Sequence, residues 1–219
     1  MTAQKALRLA VRDVFGPNAR AHGFKGAFPT WRRSTPAGDW AVVHIQTSMW
    51  NTSSELECIV NLAVAPEPWI RWWRDFDNEI TGDVSRIHED AGLYRTRLQP
   101  TGTSAEFERW WRVTDEVSAT DAVQDMVRQL EQTGWPLLDA LLSPGGCLAA
   151  VEQGDLGDLR YEDFPSHFLR ARAMLIVDCG PSPELDRLLS AALLFAGSEE
   201  SAMAQEFDRW ARRQAQQAT

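Results

Sequence analysis

Apolar and polar residues alternate with a period of two along two consecutive stretches of the chain. Within 40–50 one face collects Ala41, Val43, Ile45, Thr47 and Met49, and the other collects Val42, His44, Gln46 and Ser48. Within 56–64 one face is Leu56, Cys58, Val60, Leu62 and Val64, and the other is Glu57, Ile59, Asn61 and Ala63. Because successive side chains of a strand point to opposite sides of a sheet, this pattern predicts two half-buried strands. The short connection 51–55, rich in Asn, Thr and Ser, predicts an antiparallel hairpin.

The hairpin has a predictable register. Side chains on one face of a strand advance by two residues per step. If Ser48 lies opposite Glu57, antiparallel pairing therefore places His44 beside Asn61. Gln46 then lies beside Ile59. The polar side chains of this face therefore form a row across the hairpin.

Helices and further strands are predicted around the hairpin. Apolar residues at steps of three and four predict a helix over 3–15, which we expect Gly16 and Pro17 to end. After Pro68, a second helix is indicated by the apolar positions Trp69, Trp72, Trp73, Phe76 and Ile80. Further strands are predicted at 28–33, 93–98 and 107–113. The sequence thus predicts an α+β fold whose antiparallel sheet has about five strands packed against helices.

The second half of the chain is predicted to be helical. Ser118 and Asp121 have the spacing of a capping box before a helix that Gly134 interrupts and Pro136 restarts. The run 143–146 (Ser, Pro, Gly, Gly) is the strongest internal boundary signal. It predicts an α+β domain over 1–142 and, packed on it, a helical extension over 143–219. Helices are expected in this extension at 165–178, 183–196 and 199–214.

Charge and composition exclude several classes of function. The net charge is −9, from 31 acidic and 22 basic residues, and such a field repels nucleic acid. No stretch reaches the roughly 18 continuous apolar residues of a membrane-spanning helix, and the first fifteen residues lack the apolar block of a secretory signal. The three cysteines are odd in number and far apart, which favours free thiols in a reducing compartment. We therefore expect a cytoplasmic protein that binds neither nucleic acid nor membrane.

The polar row is the first candidate site. Its members His44, Gln46, Ser48 and Asn61, with Arg97 as an anion holder, could form the floor of a ligand pocket. In the simpler interpretation these side chains hydrogen-bond one another and water on a half-exposed sheet. No nucleophile elbow surrounds Ser48, and the acidic run 75–90 matches no calcium or zinc spacing. We assign no catalytic residue, no metal ligand and no cofactor.

The tryptophan-rich helix is the second candidate. Exposed tryptophans are typical of protein interfaces, so Trp69, Trp72 and Trp73 are candidate contacts for another protein. Tryptophans beside arginines also bind single-stranded nucleic acid, but the acidic net charge disfavours that use.

Short motifs in the first part of the chain match a known pattern. They are Trp31 and Arg33, then Val43, Ile45, Gln46, Ser48 and Trp50, then Val60, Asn61 and Leu62, with Arg97, Leu98 and Trp111 downstream. Over residues of about 1–142 this pattern resembles the bacterial domain of unknown function 4304 family. The resemblance implies an α+β fold and no established activity, and it carries over the positions Gln46, Ser48, Asn61 and Arg97. The extra tryptophans at 69, 72 and 73 and the helical tail after Pro144 depart from the family pattern.

Three functions remain open from the sequence. The first hypothesis is a non-catalytic module of immunity or regulatory type that binds another protein through its acidic, tryptophan-rich surface. The alternative is a small-ligand binder or enzyme that uses the polar row. A third is a structural or oligomerisation role for the helical tail.

Overall fold

The structure of the chain, a computed structural model, describes residues 1–76, 87–103, 108–197 and 201–218. Among these residues, six strands form one antiparallel sheet in the order β1, β2, β3, β4, β5, with β6 also paired to β4. The strands are β1 Lys25–Ala27, β2 Thr30–Ser34, β3 Trp40–Thr47, β4 Leu56–Ala65, β5 Tyr94–Leu98 and β6 Trp111–Val113. The predicted α+β fold with an antiparallel sheet is confirmed. The count of five omitted β1, a short strand whose three residues are exposed and give no alternating pattern.

One edge of β4 is shared by two strands placed end to end. β5 pairs with residues 60–64 of β4, and β6 pairs with residues 56–58. The strand predicted over 107–113 is therefore wrong at its start: residues 108–110 are not strand, and Phe107 lies outside the described residues. The strand predicted over 28–33 is displaced to Thr30–Ser34 because Pro29 has no N–H for the sheet.

The central hairpin has the predicted register. His44 lies opposite Asn61 and Gln46 opposite Ile59, and the Ser48 N–H donates to the Glu57 carbonyl at 2.9 Å. On the predicted apolar face, Ala41, Val43 and Ile45 of β3 and the alternate residues of β4 are buried, as the alternation predicts. Thr47 at the end of β3 is exposed, and Met49, also predicted on this face, lies beyond the strand and is 85% exposed. The other face also loses most of its exposure, since Ile59 and Ala63 are buried as well.

The apolar face of the sheet packs against four helices: α1 Ala3–Ala10, α2 Gly16–Ala21, α4 Glu116–Gln129 and α5 Trp135–Leu142. The ring of Phe15 lies 4.5 Å from the ring of Trp31 on β2. A Cβ added to Gly134 would lie 3.4 Å from Leu62 Cδ1, which shows how closely this layer approaches the sheet.

Two predicted helix ends are wrong. Instead of ending at Gly16 and Pro17, α1 continues into α2 through a π-helical turn at Val11–Phe15, and α4 continues into α5 through a second π turn at Leu130–Gly134. In both turns an N–H bonds to the carbonyl five residues earlier. Pro17 and Pro136 follow directly, where the regular hydrogen-bond ladder is already interrupted, so the missing N–H does not end the helix.

The capping box of α4 lies three residues before its predicted position. Asp115 is the N-cap: its side chain accepts from the Ser118 N–H at 2.8 Å, and the Ser118 hydroxyl accepts from the Asp115 N–H at 2.9 Å. The prediction that Ser118 itself caps the helix is wrong, because Ser118 occupies the reciprocal N3 position.

The opposite face of the sheet is crossed by the segment that precedes β5. Arg32 Nε donates to the Ile87 carbonyl at 2.5 Å, and a short 3₁₀ turn follows at Glu89–Ala91. Helix α3, Glu67–Phe76, begins directly after β4, and its Trp69 Nε1 donates to the Ala91 carbonyl at 2.8 Å.

Four C-terminal helices follow in the described part of the chain: α6 Gly146–Glu152, which the sequence did not predict, then α7 Pro165–Leu175, α8 Pro183–Phe195 and α9 Ser201–Gln217. Two of them, α7 and α9, contact α3. The predicted helix 165–178 divides into α7 and a 3₁₀ turn at Val177–Cys179, and Glu199 lies outside the described residues. Arg71 of α3 pairs with Asp178 at 2.7 Å. The division of the chain at residue 142 stays a prediction.

Two properties bear on the environment of the protein. None of the helices in the described part of the chain combines the length and the apolar content needed to cross a bilayer. All three cysteines are free thiols, with Cys58 and Cys147 buried and Cys179 exposed, and burial raises the pKa of each buried thiol to about 12. The cytoplasmic location stays a prediction.

Candidate functional site

The polar row extends across four strands. Thr30 of β2 lies opposite His44, His44 opposite Asn61, and Asn61 opposite Arg97, so these side chains share the face that the 87–92 segment crosses. Thr30 was not among the predicted members. Its membership depends on the pairing of β2 with β3, which the alternation within the hairpin does not determine.

Most side chains of the row bond within the protein. Thr30 Oγ1 and His44 Nδ1 are 2.8 Å apart, Asn61 Nδ2 donates to Gln46 Oε1 at 2.9 Å, and Arg97 pairs with Glu108. Among the described residues, the buried Oδ1 of Asn61 has no hydrogen-bond partner. Burial lowers the pKa of His44, although Glu89 opposes this with its Oε1 at 3.6 Å from His44 Nε2. The ligand-binding role of the row stays a prediction.

Ser48 lies apart from the rest of the row. It follows the last residue of β3, and its hydroxyl accepts from the Trp50 N–H at 3.2 Å within the hairpin connection. The acidic run 75–90 extends into residues 77–86, outside the described part of the chain. Within the described ranges, no group of three or more His, Cys, Asp or Glu side chains is placed to hold a metal ion.

The tryptophans of α3 face the protein interior. Trp69 is 9% exposed and Trp72 is 4% exposed, whereas Trp73 is partly buried. Trp72 lies edge-on to Phe207 and Trp210 of α9, with ring centroids 5.2 and 5.3 Å away. Trp69 and Trp72 of the predicted stripe therefore lie on the packing face, whereas Phe76 is 41% exposed and the predicted Ile80 lies outside the described residues. An interface role for these tryptophans stays a prediction.

A cavity of about 250 Å³ lies between α3, the segment leading into β5, and helices α7 and α9. We call it the tryptophan cavity. Its lining is mainly aromatic and apolar, with four ionisable side chains: Trp69, Trp72, Trp73, Asp90, Gly92, Leu93, Arg95, Leu159, His167, Arg170, Met174, Met203 and Phe207. It includes the three predicted interface tryptophans and none of the predicted row residues.

His167 is one of the polar residues that line this cavity. Its ring lies edge-on to Trp69, with centroids 5.8 Å apart, and its Nε2 is buried without a hydrogen-bond partner among the described residues. Burial lowers the pKa of His167 from 6.5 to about 4, and the positive charges of Arg170 and Arg95 act in the same direction. The imidazole is therefore neutral at pH 7.

The ionisable side chains of the cavity lining have both signs. Arg170 is 7% exposed and Arg95 half-buried, whereas Asp90, the carboxylate among the described lining residues, is exposed.

The sequence is similar to one known family. The model of the family described as Domain of unknown function (DUF4304) matches residues 15–140, more than half of the chain. The chain belongs to this family. No curated protein and no solved structure matches the chain. The predicted resemblance is thus confirmed.

The two candidate sites differ in how much of each lies within the residues matched by the DUF4304 model. All members of the polar row lie within the matched residues, whereas the tryptophan cavity lies only partly within them. Its remaining wall is formed by residues beyond 140, including His167, Arg170 and Phe207. These residues could not be predicted from the sequence, because the apolar positions of a helix follow the same pattern whether they face a packed core or a cavity.

The low pKa of His167 makes stability depend on pH. In the unfolded chain the imidazole binds a proton below about pH 6.5, but in the folded chain only below about pH 4. Stability should therefore fall as the pH drops from 6.5 to 4, by about 2 kcal/mol between pH 7 and pH 5 from this group alone.

Urea unfolding at a series of pH values measures this effect. His167→Phe keeps a ring of similar size without a titrating group, so its stability should fall less than that of the unmodified chain over this pH range. Leu194→Phe serves as the matched control: Leu194 is 86% exposed and has no titrating group, so this variant should leave the pH profile unchanged. Equal profiles for His167→Phe and the unmodified chain would contradict the prediction.

Proposed function

We propose that this DUF4304 protein binds a small organic molecule in the tryptophan cavity. One observation supports this most strongly: a cavity of about 250 Å³ is lined by three tryptophans, Phe207 and two methionines, together with a few polar side chains. Ligand sites are concave and mostly apolar, with a few polar groups that fix orientation.

This proposal adopts the small-ligand alternative but places it away from the polar row. The side chains of the row are largely engaged with one another or with Glu108. Binding to another protein through the tryptophans is less well supported, because Trp69 and Trp72 are buried. All three tryptophans line the cavity, so a ligand bound there would contact them.

Blocking the cavity tests the proposal. Met203 of α9 lies on the cavity wall and is only partly buried, so Met203→Trp can place an indole in the cavity without replacing a fully buried side chain. As probes we choose naphthalene-2-carboxylate and its neutral carboxamide, measured by calorimetry and by quenching of tryptophan fluorescence. We expect one-to-one binding of at least one probe, and a loss of affinity of at least about thirtyfold in Met203→Trp because the added ring competes for the same space.

The matched control is Met49→Trp. Met49 is 85% exposed in the hairpin connection and does not line the cavity, so the same replacement there should leave the affinity unchanged. If neither probe binds the unmodified protein, or if binding survives Met203→Trp, the proposal is wrong.

A further inference from the structure

The connection of the central hairpin presents two large apolar side chains to solvent. Met49 and Trp50 lie just beyond the end of β3 and are each 85% exposed. The turn that carries them is hydrogen-bonded: the Trp50 N–H donates to Ser48 Oγ at 3.2 Å, and Asn51 Oδ1 accepts from the Glu57 N–H at 2.7 Å. Tryptophan and methionine are enriched at protein interfaces, and tryptophan is frequent among the residues that contribute most to binding.

The first helix has a basic outer face. It runs from Ala3 to Ala21 through the π turn, and most of its apolar side chains are buried in the core. The single acid of this helix, Asp13, pairs with Arg12 at 2.6 Å. Three further cations on the helix are exposed and have no acidic partner among the described residues: Lys5, Arg8 and Arg20.

This helix belongs to a basic part of an acidic protein. Residues 1–34 contain seven basic residues and one acidic residue, a net charge of +6. Residues 35–219 contain 15 basic and 30 acidic residues, a net charge of −15. Solubility requires only that both signs be interspersed over the surface. The separation of charge therefore favours a recognition role, in which an acidic partner is attracted to this surface and repelled by the rest of the molecule.

The exposed apolar pair and the basic face lie close together. The Ala3 N–H donates to the Ser53 carbonyl at 3.2 Å, which joins the start of the helix to the hairpin connection. Lys5 follows Ala3 by two residues and Trp50 precedes Ser53 by three, so their Cα atoms lie within about 25 Å of each other. A standard interface covers about 800 Å² on each partner, a disc about 30 Å across. One partner can therefore contact both features, which we call together the Trp50 surface: Lys5, Arg8, Met49 and Trp50.

We infer that the Trp50 surface binds an acidic segment of another protein, which buries the Trp50 indole and pairs its carboxylates with Lys5 and Arg8. None of the four residues lines the tryptophan cavity, so this interface does not depend on the proposed function. The acids of the hairpin connection do not cancel the basic charge. Glu55 pairs with Arg112 at 2.6 Å.

Other classes of partner fit the Trp50 surface less well. A bilayer needs a free apolar helix face to insert, and here that face is packed in the core. Nucleic acid is repelled at long range by the net charge of −9. A second copy of the chain would have to offer its acidic side to this basic one, and such head-to-tail contacts form open filaments unless the ring closes.

Short random peptides displayed on phage test the inference. They are selected separately on the unmodified protein and on Trp50→Ala, and the enriched peptides are then synthesised. On the unmodified protein we expect enrichment of peptides that combine several acidic residues with an aromatic or leucine side chain, because the carboxylates meet the cations while the apolar side chain meets the indole. The same peptides should not be enriched on Trp50→Ala.

Two variants measure the contributions by fluorescence polarisation of the synthetic peptides. Trp50→Ala should weaken binding at least about tenfold, because the indole is buried in the complex. Arg8→Glu should weaken binding about tenfold at low salt and clearly less at high salt, because salt screens exposed charges. Their matched controls are Leu194→Ala, at a residue that is 86% exposed, and Arg187→Glu, on the exposed side of α8. Neither control should change the affinity, and all four variants should keep the circular dichroism spectrum of the unmodified chain.

Several results would overturn the inference. They include no enrichment on the unmodified protein, enriched peptides without an acidic bias, and equal affinity of these peptides for Trp50→Ala. Vesicles of phosphatidylcholine with phosphatidylglycerol, and a short DNA duplex, are tested in parallel. If either binds and Trp50→Ala abolishes the binding, the surface serves a membrane or nucleic acid instead. Self-association in sedimentation velocity that Trp50→Ala abolishes would assign the surface to a second copy of the chain.

Discussion

Replacing Trp72 by alanine is expected to destabilise the protein by about 4 kcal/mol, which is the range for truncating a buried tryptophan. Trp72 is 4% exposed and contacts three aromatic rings, those of Phe76 on its own helix and of Phe207 and Trp210 on α9. The cavity left by the indole cannot close easily, because these rings are held by other contacts. One of them is the hydrogen bond from Trp210 Nε1 to Asp75 at 3.0 Å.

Urea unfolding followed by circular dichroism measures this loss. Trp50→Ala is the matched control, since Trp50 is 85% exposed and its removal should change stability by less than about 0.5 kcal/mol. We also expect faster tryptic cleavage in α9, at Arg209, Arg212 and Arg213, in Trp72→Ala. A stability loss no larger than that of Trp50→Ala would show that α3 and α9 are not joined by this contact.

The central hairpin could be predicted in detail because the alternation of apolar and polar residues and the short connection indicate the same register. Each strand has one uninterrupted apolar face, and a shift of one residue would turn that face toward the polar side. The pairing of His44 with Asn61 follows from this alternation together with the short connection. What could not be predicted is that the polar face is also covered, since the 87–92 segment that crosses it gives no strand or helix pattern.

Helix ends were predicted less well because the local signals were ambiguous. Gly and Pro at 16–17, and again at 134–136, are strong breakers in isolation. Here Gly16 follows one π turn and Gly134 is the last residue of the other. Tertiary packing retains the helix: Asn18 Oδ1 accepts from Trp135 Nε1 at 3.1 Å, and His22 stacks on Trp135 with centroids 4.8 Å apart. These contacts join residues more than a hundred positions apart, and no local pattern indicates them.

The tryptophan cavity illustrates a different limit. Trp69, Trp72 and Trp73 were identified from their spacing, but whether such a stripe faces a partner, a core or a cavity depends on what packs against it. The opposite wall comes from α7 and α9, which follow the last strand in the sequence, whereas α3 precedes β5 and β6. Their apolar positions predicted helices and gave no indication that His167 and Arg170 would meet the tryptophans.

The second large effect is expected for Gly157→Ala, at the point where the C-terminal part of the chain joins the edge of the sheet. Gly157 has a φ of +83°, and an added Cβ would lie 2.0 Å from the Arg95 carbonyl oxygen. Two backbone hydrogen bonds hold this segment against Arg95. The Asp158 N–H donates to the Arg95 carbonyl at 2.7 Å, and the Arg95 N–H donates to the Leu156 carbonyl at 3.1 Å. The backbone cannot move away from Arg95 without breaking both. The left-handed conformation costs about 1–2 kcal/mol, and the loss of both bonds brings the total to about 4 kcal/mol.

Gly102→Ala separates the two contributions. Gly102 has a φ of +79°, but no heavy atom lies within 4 Å of its added Cβ, so this variant bears only the conformational cost of about 1 kcal/mol. Because Arg95 lines the tryptophan cavity, Gly157→Ala should also weaken binding of naphthalene-2-carboxylate, whereas Gly102→Ala should not. Similar unfolding free energies for the two variants would mean that the 155–158 segment can move away from Arg95 without a loss of stability. In that case the position of Arg95 would not depend on the C-terminal part of the chain.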